Sequence, residues 1–487
     1  MPIIGYWLSN TFQKMGKNLY WFMLAEVDSK NNTCFRSRWY IDKRIVVLFT
    51  ILMCPVILFC ATYMLVFGIF PGISYPKALA KDVPEVNIHR ALVYSMSPNT
   101  TANIVPHSNL HRDLSPHSFK IVCYYNFPGS KNSLQVENLQ ASLCTHISVA
   151  FASISNNSIY LEKSQIDTVQ KLVNLKSLNK NLKILVSVGG AGNDGEFPKM
   201  VLNHANRKSF IRSVIEYVKE YNIDGVDLDW EFPNEDQEHD KMQKVHFTQL
   251  LSEFRKSIEH QPNHPFLLTV AVAAPDFIVQ NSYDVSYMNE YVDFVNLMSY
   301  DYHYFTKETP FTGYNSPLYA SENERYYLAT LNINYSANYW NMMGMDRKKI
   351  VIGLPTYGHS FRLMNPKNNG LYAPASGYGK LGALGFVDYP VVCQFLNTNR
   401  VTPVFDMDTK SSYASKYYEW ISFDNQQSLT YKAEYIRDNG FGGAMVYSLN
   451  SDDWKGACKQ GEFPLVESVR KVLEAGKVDV EEKLVGR

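Results

Sequence analysis

Neither sign of charge is in excess in this sequence, whose 487 residues include 47 Lys and Arg against 47 Asp and Glu. A balanced chain creates no global electrostatic field that would attract a polyanion, so we expect no nucleic-acid partner. Internal repeats and low-complexity tracts are also missing, which excludes solenoid and fibrous architectures. Aromatic residues, in contrast, make up 14% of the chain. They suit both a large core and a site where sugars stack on rings.

One stretch has no charge at all. Residues 45–70 form an uncharged run of 26 residues, IVVLFTILMCPVILFCATYMLVFGIF, whereas an α-helix needs about 20 apolar residues to cross the hydrocarbon layer. Pro55 within this run is tolerated in a membrane span. A buried core helix is rarely this long and uncharged, and a signal peptide begins nearer to residue 1. The run therefore predicts one retained transmembrane helix.

Basic residues flank this span unequally, with five close to its N-terminal side and two close to its C-terminal side. They are Lys30, Arg36, Arg38, Lys43 and Arg44 before the span and Lys77 and Lys81 after it. Because basic flanks stay in the cytoplasm, we expect a single-pass type II membrane protein. The part of the chain that follows the span is then lumenal or extracellular.

The cysteines and glycosylation sequons that follow the span are consistent with a lumenal or extracellular location of this part of the chain. The cysteines are Cys123, Cys144, Cys393 and Cys458, and the sequon residues are Asn99, Asn156 and Asn334. An even number of cysteines permits two disulfides in an oxidising compartment. The sequons are predicted glycosylation sites, although such short patterns also arise by chance.

Changes in composition divide the chain into five segments. They are a cytoplasmic tail (1–44), the transmembrane helix (45–70), a stalk rich in Pro, His, Ser and Asn (71–117), one large domain (118–475) and a C-terminal tail (476–487). The low periodicity of the stalk is typical of a linker, or of a leader that packs on the following domain.

The large domain alternates short apolar runs with longer amphipathic stretches, the pattern of repeated βα units. Eight runs are candidate strands: KIVCYY from Lys120, HISVAFA from His146, KILVSVG from Lys183, GVDLD from Gly225, LLTVAVA from Leu267, FVNLMS from Phe294, IVIGLP from Ile350 and GAMVYS from Gly443. Eight such units predict an α/β fold, a closed (β/α)8 TIM barrel. The long interval between the seventh and eighth strands indicates a small inserted α+β domain at about residues 360–420.

The fourth candidate strand, in DGVDLDWE, carries acids in alternation. Side chains of a strand point alternately to opposite faces, so Asp227, Asp229 and Glu231 share one face, directed into the barrel. They end at the rim where TIM barrels have their active sites. Like charges this close cannot all ionise cheaply, so at least one pKa must rise. A proton held near neutral pH is what a general acid needs.

Two other interpretations of these acids are a solvated surface cluster and a metal site. A surface cluster would not alternate with Val, Leu and Trp. No His lies among the acids to bind a soft metal, although oxygen ligation of Mg²⁺ or Ca²⁺ stays open. We therefore predict catalytic acids with no metal and no cofactor.

DGVDLDWE resembles the signature DxxDxDxE of glycoside hydrolase family 18, the chitinases and chitinase-like lectins. The resemblance extends over residues 118–475. KILVSVGG, LMSYDYH, GLPTYGHSF and FGGAMVYSLNSDDW are similar to the third, sixth, seventh and eighth strands of that family. The resemblance implies a TIM barrel with an inserted domain and a partner that is chitin or another N-acetylglucosamine glycan. It also implies two disulfides, Cys123–Cys144 and Cys393–Cys458.

The resemblance also implies a role for each acid. Glu231 would protonate the glycosidic oxygen while the acetamide of the substrate itself attacks the anomeric carbon, a mechanism known as substrate-assisted hydrolysis. Asp229 would orient that acetamide, with Asp227 sharing its proton, and Tyr300 would hydrogen-bond it. The further substrate-binding residues implied by the resemblance are Tyr124, Phe151, Gly190, Met298, Asp301, Tyr357 and Tyr447.

Three positions depart from the family pattern. Tyr447 stands where a Trp usually forms the floor of the site, Ala191 where an aromatic commonly follows SxGG, and His359 where Arg is usual. If each lost stacking contact costs on the order of 1 kcal/mol, affinity for chitin falls about tenfold or more. The acid itself is untouched.

Three functions are open: a hydrolase of chitin or chitooligosaccharides, a chitinase-like lectin with little turnover, and a membrane scaffold that uses the barrel as an interaction surface. Lectin members of the family typically lose the acid. The intact Glu231 therefore favours the hydrolase, whereas the weakened aromatic surface favours the lectin.

Overall fold

The computed structural model describes residues 119–234 and 242–485, with side chains described as far as residue 475. The predicted cytoplasmic tail, transmembrane helix, stalk and the sequon at Asn99 lie outside the described residues. Within the described ranges, no helix is both long enough and apolar enough to cross a membrane.

Fifteen strands are present in this part of the chain. They are β1 Lys120–Asn126, β2 His146–Ser155, β3 Ser158–Tyr160, β4 Lys183–Gly189, β5 Gly225–Asp229, β6 Leu267–Ala273, β7 Phe294–Met298, β8 Ile350–Pro355, β9 Tyr357–Leu363, β10 Ala375–Tyr378, β11 Phe386–Asp388, β12 Val404–Asp406, β13 Ser411–Lys416, β14 Glu419–Phe423 and β15 Gly443–Tyr447. The eight predicted strands are all found, as β1, β2, β4, β5, β6, β7, β8 and β15.

These eight strands form a closed parallel barrel in the order β1-β15-β8-β7-β6-β5-β4-β2, and β1 pairs with β2 to close it. Lys120 of the first strand pairs with Gly443 of the last. The predicted (β/α)8 barrel is therefore confirmed. Because parallel strands end together, the loops after them meet at one rim.

Helices connect the strands and cover the barrel. Those described are α1 Lys163–Asn174, α2 Phe197–Val201, α3 His204–Tyr221, α4 Gln243–Glu259, α5 Asp276–Ser282, α6 Val285–Tyr291, α7 Ile333–Met342, α8 Tyr389–Asn399, α9 Gln426–Asp438 and α10 Pro464–Val485. Short 3-10 turns are also present, at Val136–Asn138, Leu175–Ser177, Leu328–Thr330 and Arg347–Lys349.

Helix α3 shows how local sequence sets these elements. The Asn203 side chain accepts a hydrogen bond from the Asn206 backbone N–H, which satisfies one of the free donors at the helix start. Phe210, Val214 and Val218 recur every four residues and are buried against the barrel. Beyond the last turn, Asn222 adopts a left-handed conformation with φ of 51°, a common way for a helix to end.

Between β8 and β15 the chain leaves the barrel and forms a second, six-stranded sheet with strand order β10-β9-β14-β13-β12, to which β11 is added through β9. Helix α8 follows β11 and contacts this sheet. The two pairings implied by the family resemblance are present as disulfides, Cys123–Cys144 and Cys393–Cys458. The first joins β1 to the loop before β2, and the second joins α8 to the segment after β15.

Candidate active site

The loops at the carboxyl ends of the barrel strands enclose a cleft of about 670 Å³. Nine of the predicted site residues line it: Tyr124, Phe151, Asp229, Glu231, Met298, Tyr300, Asp301, Tyr357 and Tyr447. Asp227 and Gly190 do not line the cleft, because both are buried beneath it. The cleft is thus an acidic site with walls that are largely aromatic.

Strand β5 places its side chains as the alternation predicts. Asp227 and Asp229 point into the barrel, whereas Trp230 packs outward against Phe197, with ring centroids 5.3 Å apart, and against Phe247. The strand is buried along its whole length. Both carboxyl groups are therefore removed from bulk water, and their neighbours decide what each can do.

Asp227 is surrounded by hydrogen-bond donors. Its Oδ2 accepts from the Tyr124 hydroxyl at 2.6 Å and from the Ser187 hydroxyl at 2.8 Å. Its Oδ1 accepts from the Thr269 hydroxyl at 2.6 Å and from the Asn296 amide at 3.1 Å. These donors come from four different barrel strands, so one carboxylate links half of the barrel interior.

The oxygens of Asp227 together accept four hydrogen bonds, which fix the position of this carboxyl group below Asp229 on the same strand. Its expected role, to share a proton with Asp229, stays a prediction.

Asp229 has the opposite environment. Its side chain is only 2% exposed, and its Oδ1 has no hydrogen-bond partner within the described residues. Burial raises the pKa of Asp229 well above its usual range, and the charges of Glu231, Asp227 and Asp194 raise it further. The expected rise in pKa among these acids thus occurs at Asp229. Its unpartnered oxygen is an acceptor available to a ligand in the cleft.

Glu231 lies just beyond β5, at the edge of the cleft, and is more exposed than either aspartate. Its backbone N–H donates to the Asp194 carboxylate at 3.1 Å. Asp194 follows β4, so this contact ties the ends of two neighbouring barrel strands. A half-buried carboxyl group at the mouth of a cleft, beside a second acid that binds protons tightly, can act as a general acid.

Two glycines, the last residue of β4 and the residue that follows it, let the chain pass close to the acids. A Cβ atom at Gly189 would lie 2.1 Å from the Asp229 carbonyl oxygen, and one at Gly190 would lie 2.7 Å from the Phe151 ring. Gly190 also has a φ of 84°, and its N–H donates to the same carbonyl at 2.8 Å. Gly190 therefore packs against Phe151 and positions the backbone beside Asp229, and its expected contact with substrate stays a prediction.

Tyrosine rings form the floor of the cleft. The Tyr447 ring lies 5.6 Å from Tyr124, 5.9 Å from Tyr300 and 6.3 Å from Tyr357, centroid to centroid. Burial, followed by the charge of Asp229, raises the pKa of Tyr447 to about 12. Burial likewise raises the pKa of Tyr300 well above its usual range. Both phenols therefore stay protonated and can donate hydrogen bonds to a sugar.

Asp301 connects the barrel to the inserted sheet. Its Oδ1 accepts from the Tyr357 hydroxyl at 2.7 Å and from His359 Nε2 at 2.6 Å. Its backbone has a φ of 56° and is held by the Asn315 side chain. His359, at the position where the family usually has Arg, thus fixes the carboxylate that lines the cleft. Ala191 also lines the cleft, where the family commonly has an aromatic ring.

The two sequons in the described residues differ in accessibility. Asn156 is exposed at the turn between β2 and β3. Asn334 lies in α7, is partly buried, and its Oδ1 accepts from Tyr435 and Asn338. Asn156 is therefore the better placed of the two predicted glycosylation sites.

Several residues of the site are not predicted from the sequence, among them Asp194, Thr269, Asn296 and Phe277. Thr269 and Asn296 carry a usable signal, because each is a polar residue inside an otherwise apolar strand, on the inward-facing positions. Asp194 and Phe277 lie in the segments that follow strands, where no periodicity places a side chain. In the described ranges, no group of three His, Cys, Asp or Glu side chains is arranged to hold a metal ion.

Known proteins match this chain over the barrel. Residues 120–452 match the model of the family described as Glycosyl hydrolases family 18. Chitinase-3-like protein 2 of Homo sapiens is 36% identical over 372 residues, which cover 73% of this chain and 93% of the human protein. Chitotriosidase-1 of Mus musculus is 34% identical over 369 residues, which cover 73% of this chain and 78% of the mouse protein.

Two solved structures show the same similarity. Human YKL-39, described as a pseudo-chitinase with retained chitooligosaccharide binding properties, has a TM-score of 0.69 at 34% identity over 73% of this chain and 100% of its own. The Group IV chitinase of Ostrinia furnacalis in complex with allosamidin has a TM-score of 0.68 at 34% identity over 74% and 99%. With its barrel, its acidic strand and these matches, the chain belongs to glycosyl hydrolases family 18.

Proposed function

We propose that this protein hydrolyses β-1,4-linked N-acetylglucosamine polymers, chitin or chitooligosaccharides, by a substrate-assisted mechanism that retains the anomeric configuration. The observation that carries the proposal is the pairing of Asp229 and Glu231. Asp229 is buried, has a raised pKa and presents an unpartnered oxygen, and Glu231 lies beside it at the cleft. This pair supplies both an acid and an acceptor for an acetamide N–H.

In the first step, Glu231 donates its proton to the glycosidic oxygen as the bond between that oxygen and the anomeric carbon breaks. The acetamide carbonyl oxygen of the same sugar forms a new bond to that carbon, which gives a five-membered oxazolinium ring. The acetamide N–H donates to Oδ1 of Asp229, the buried acceptor. Glu231, now a carboxylate, stabilises the positive charge of the ring.

In the second step, a water molecule attacks the anomeric carbon and gives a proton to the Glu231 carboxylate, and the ring opens to restore the acetamide. Two inversions at one carbon leave the product in the β configuration. Tyr300 and Tyr447 stay protonated because of their raised pKa values, so they donate to the sugar throughout.

The test is turnover of N-acetylchitooligosaccharides by the purified full-length chain, beside its Glu231→Gln variant. The amide keeps the shape and much of the hydrogen bonding of the acid but cannot supply the proton, so we expect a loss of at least about 100-fold in kcat with unchanged sugar binding. Products with the α configuration, or efficient cleavage of a glucan without N-acetyl groups, would refute the mechanism.

A second candidate function is glycan binding with little turnover. Two observations favour it: Ala191 and Tyr447 reduce the aromatic surface of the cleft, and a solved structure at 34% identity is described as a pseudo-chitinase that still binds chitooligosaccharides. A wild-type chain that binds tetra-N-acetylchitotetraose but releases no product over many hours would establish this function instead. In that case Tyr447→Trp together with Ala191→Trp is the first restoration to attempt.

We further propose that the barrel lies on the lumenal or extracellular side of a membrane, anchored by residues 45–70 in type II orientation. The charge-free run and its basic N-terminal flank support this orientation, and the two disulfides fit an oxidising compartment. Sealed microsomes treated with protease test it. Digestion of residues 118–475 from the cytosolic side contradicts the orientation.

A further inference from the structure

His359 is the one side chain that can carry a positive charge among the described residues that line the cleft, which include no Lys or Arg. Three carboxyl groups line the same cleft, those of Asp229, Glu231 and Asp301. His359 is the third residue of β9 and is only 8% exposed. Imidazole ordinarily gains or loses its charge within the range of about pH 5 to 8, whereas Arg keeps its charge throughout that range.

Asp301 is the partner of this imidazole. Its Oδ1 lies 2.6 Å from His359 Nε2 and accepts from the Tyr357 hydroxyl at 2.7 Å. Burial raises the pKa of Tyr357 well above its usual range, so this hydroxyl stays a donor. The Asp301 side chain is still 48% exposed. Because both bonds go to Oδ1, its Oδ2 is the oxygen available to a sugar hydroxyl in the cleft.

The two ring nitrogens of His359 have different surroundings. A carboxylate can only accept, so Nε2 carries the proton that bonds to Asp301. Nδ1 is buried and forms no hydrogen bond within the described ranges of the chain. A second proton, on Nδ1, makes the bond to Asp301 charge-assisted and about twice as strong, but it also leaves a buried N–H unpaired. The charge of His359 therefore decides how firmly Asp301 is held.

The groups packed around the ring leave this charge unmatched by any other cation. Phe386 on β11 and Ser422 on β14 pair with His359 and carry no charge. The Tyr304 ring lies 5.6 Å from the imidazole, centroid to centroid. His303 is a second imidazole, and burial lowers its pKa, as does the charge of His359. His303 is thus neutral at neutral pH and does not mask a change of charge at His359.

We propose that His359 is a positioning residue whose charged form holds Asp301 for the ligand, so that sugar binding weakens as the imidazole loses its proton with rising pH. The proposal rests on the proposed function, because the ligand is the N-acetylglucosamine chain in the cleft. Arg, which is usual at this position in the family, gives no such pH dependence because it stays charged. His359 thus makes the affinity for the glycan higher in an acidic compartment than in a neutral one.

The test measures binding of tetra-N-acetylchitotetraose at about pH 5.5 and about pH 8. The parent is the full-length chain carrying Glu231→Gln, which keeps the ligand intact. His359→Arg fixes the charge, and His359→Gln keeps a donor N–H without any charge. We expect the parent to bind like His359→Arg at the lower pH and like His359→Gln at the higher pH, with about a three- to tenfold difference between the two variants. Titration of Asp229 affects all three proteins alike.

Two controls show whether the effect belongs to His359 and acts through Asp301. His264 is exposed and does not line the cleft, so His264→Gln should keep the pH dependence of the parent. When Asp301→Asn is added, the parent, His359→Arg and His359→Gln should bind alike at both pH values. The proposal is overturned if the ratio of the affinities of the parent and His359→Gln is the same at both pH values, or if this ratio still changes with pH in the presence of Asp301→Asn.

Nuclear magnetic resonance of isotope-labelled histidine in the ligand-free chain gives a readout that needs no sugar. The His359 signal is the one that His359→Gln lacks, and it should move between about pH 5.5 and 8. A signal that keeps one position over this range overturns the proposal. Failure of the parent to bind the tetrasaccharide at either pH refutes the proposed function, and the histidine signal distinguishes that result from a fixed charge at His359.

Discussion

Asp227 and Asp229 lie two residues apart on one strand, and we expect their replacement to affect stability differently. Asp227→Ala should lower the free energy of unfolding by about 4 kcal/mol, whereas Asp229→Asn should not lower it at neutral pH. Both variants should lose most turnover. Stability therefore distinguishes a carboxyl group that also holds the barrel interior together from one that does not, which activity alone cannot do.

The magnitude for Asp227 follows from its four hydrogen bonds. A hydrogen bond to a buried acceptor contributes about 1 kcal/mol, so four of them account for the expected loss. Part of the loss is recovered, because Asn296 also lies 3.4 Å from the Tyr124 hydroxyl and can bond to it. The hydroxyls of Ser187 and Thr269 remain buried without a comparable acceptor, and each unsatisfied group costs about 1 to 3 kcal/mol.

For Asp229, the direction in which the free energy of unfolding changes with pH follows from its raised pKa. The folded protein binds this proton more tightly than the unfolded chain does. The resulting stabilisation is fully present below the usual Asp pKa of about 4 and is lost as the pH rises through the pKa of the folded state. Asp229→Asn, which does not titrate, should therefore flatten the fall in stability of the wild type above about pH 4.

Urea unfolding of the full-length chain in a non-ionic detergent, followed by tryptophan fluorescence at several pH values, measures both effects. Asp227→Asn is the intermediate control, since its amide oxygen can still accept from two of the four donors. A loss of less than about 1 kcal/mol for Asp227→Ala would refute the argument that hydrogen bonds to this carboxylate hold the barrel interior. If the free energy of unfolding of Asp229→Asn fell with pH as steeply as that of the wild type, Asp229 would not be the group that binds the proton more tightly in the folded state.

Asp194→Asn removes a charge that raises the pKa of Asp229, so the fall in the free energy of unfolding with rising pH should occur at lower pH than in the wild type; an unmoved fall contradicts this. Tyr447→Trp enlarges the floor ring and should tighten tetrasaccharide binding by about tenfold, as measured by calorimetry. Replacing Cys393 and Cys458 together by Ser opens a loop with a sequence separation of 65 residues and should lower the free energy of unfolding by about 4 kcal/mol. An unchanged urea midpoint would contradict that loop-closure argument.

Much of the fold could be predicted because barrel strands buried on both faces are nearly continuous apolar runs. KILVSVG, GVDLD, LLTVAVA and IVIGLP coincide with observed strands to the residue. Alternation then placed Asp227 and Asp229 inside the barrel without any knowledge of the other strands. The strands of the inserted sheet mix polar with apolar residues, as in YGHSFRL and SSYASK. They therefore do not form apolar runs, and only the approximate position of this sheet could be inferred.

The chemistry of the site was less predictable, because it depends on contacts between distant segments. Alternation treats Asp227 and Asp229 alike, and only the donors that reach Asp227 from four strands distinguish them. Asp194 and Glu231 meet across two loops, and Phe277 meets Tyr327 across two others. No pattern local to any of these residues encodes its partner.

Closure of the barrel through β1 and β15 also affects how the protein is made. The edge of β1 that pairs with β15 has no neighbour until Gly443, the partner of Lys120, has been synthesised. At a synthesis rate of about 5 to 20 residues per second, that wait is about 15 to 65 s. Throughout that time the nascent chain exposes an apolar, unpaired strand edge, the kind of surface that promotes aggregation. We therefore expect the yield of this protein in cells to depend on chaperones that bind the chain until its last strand emerges.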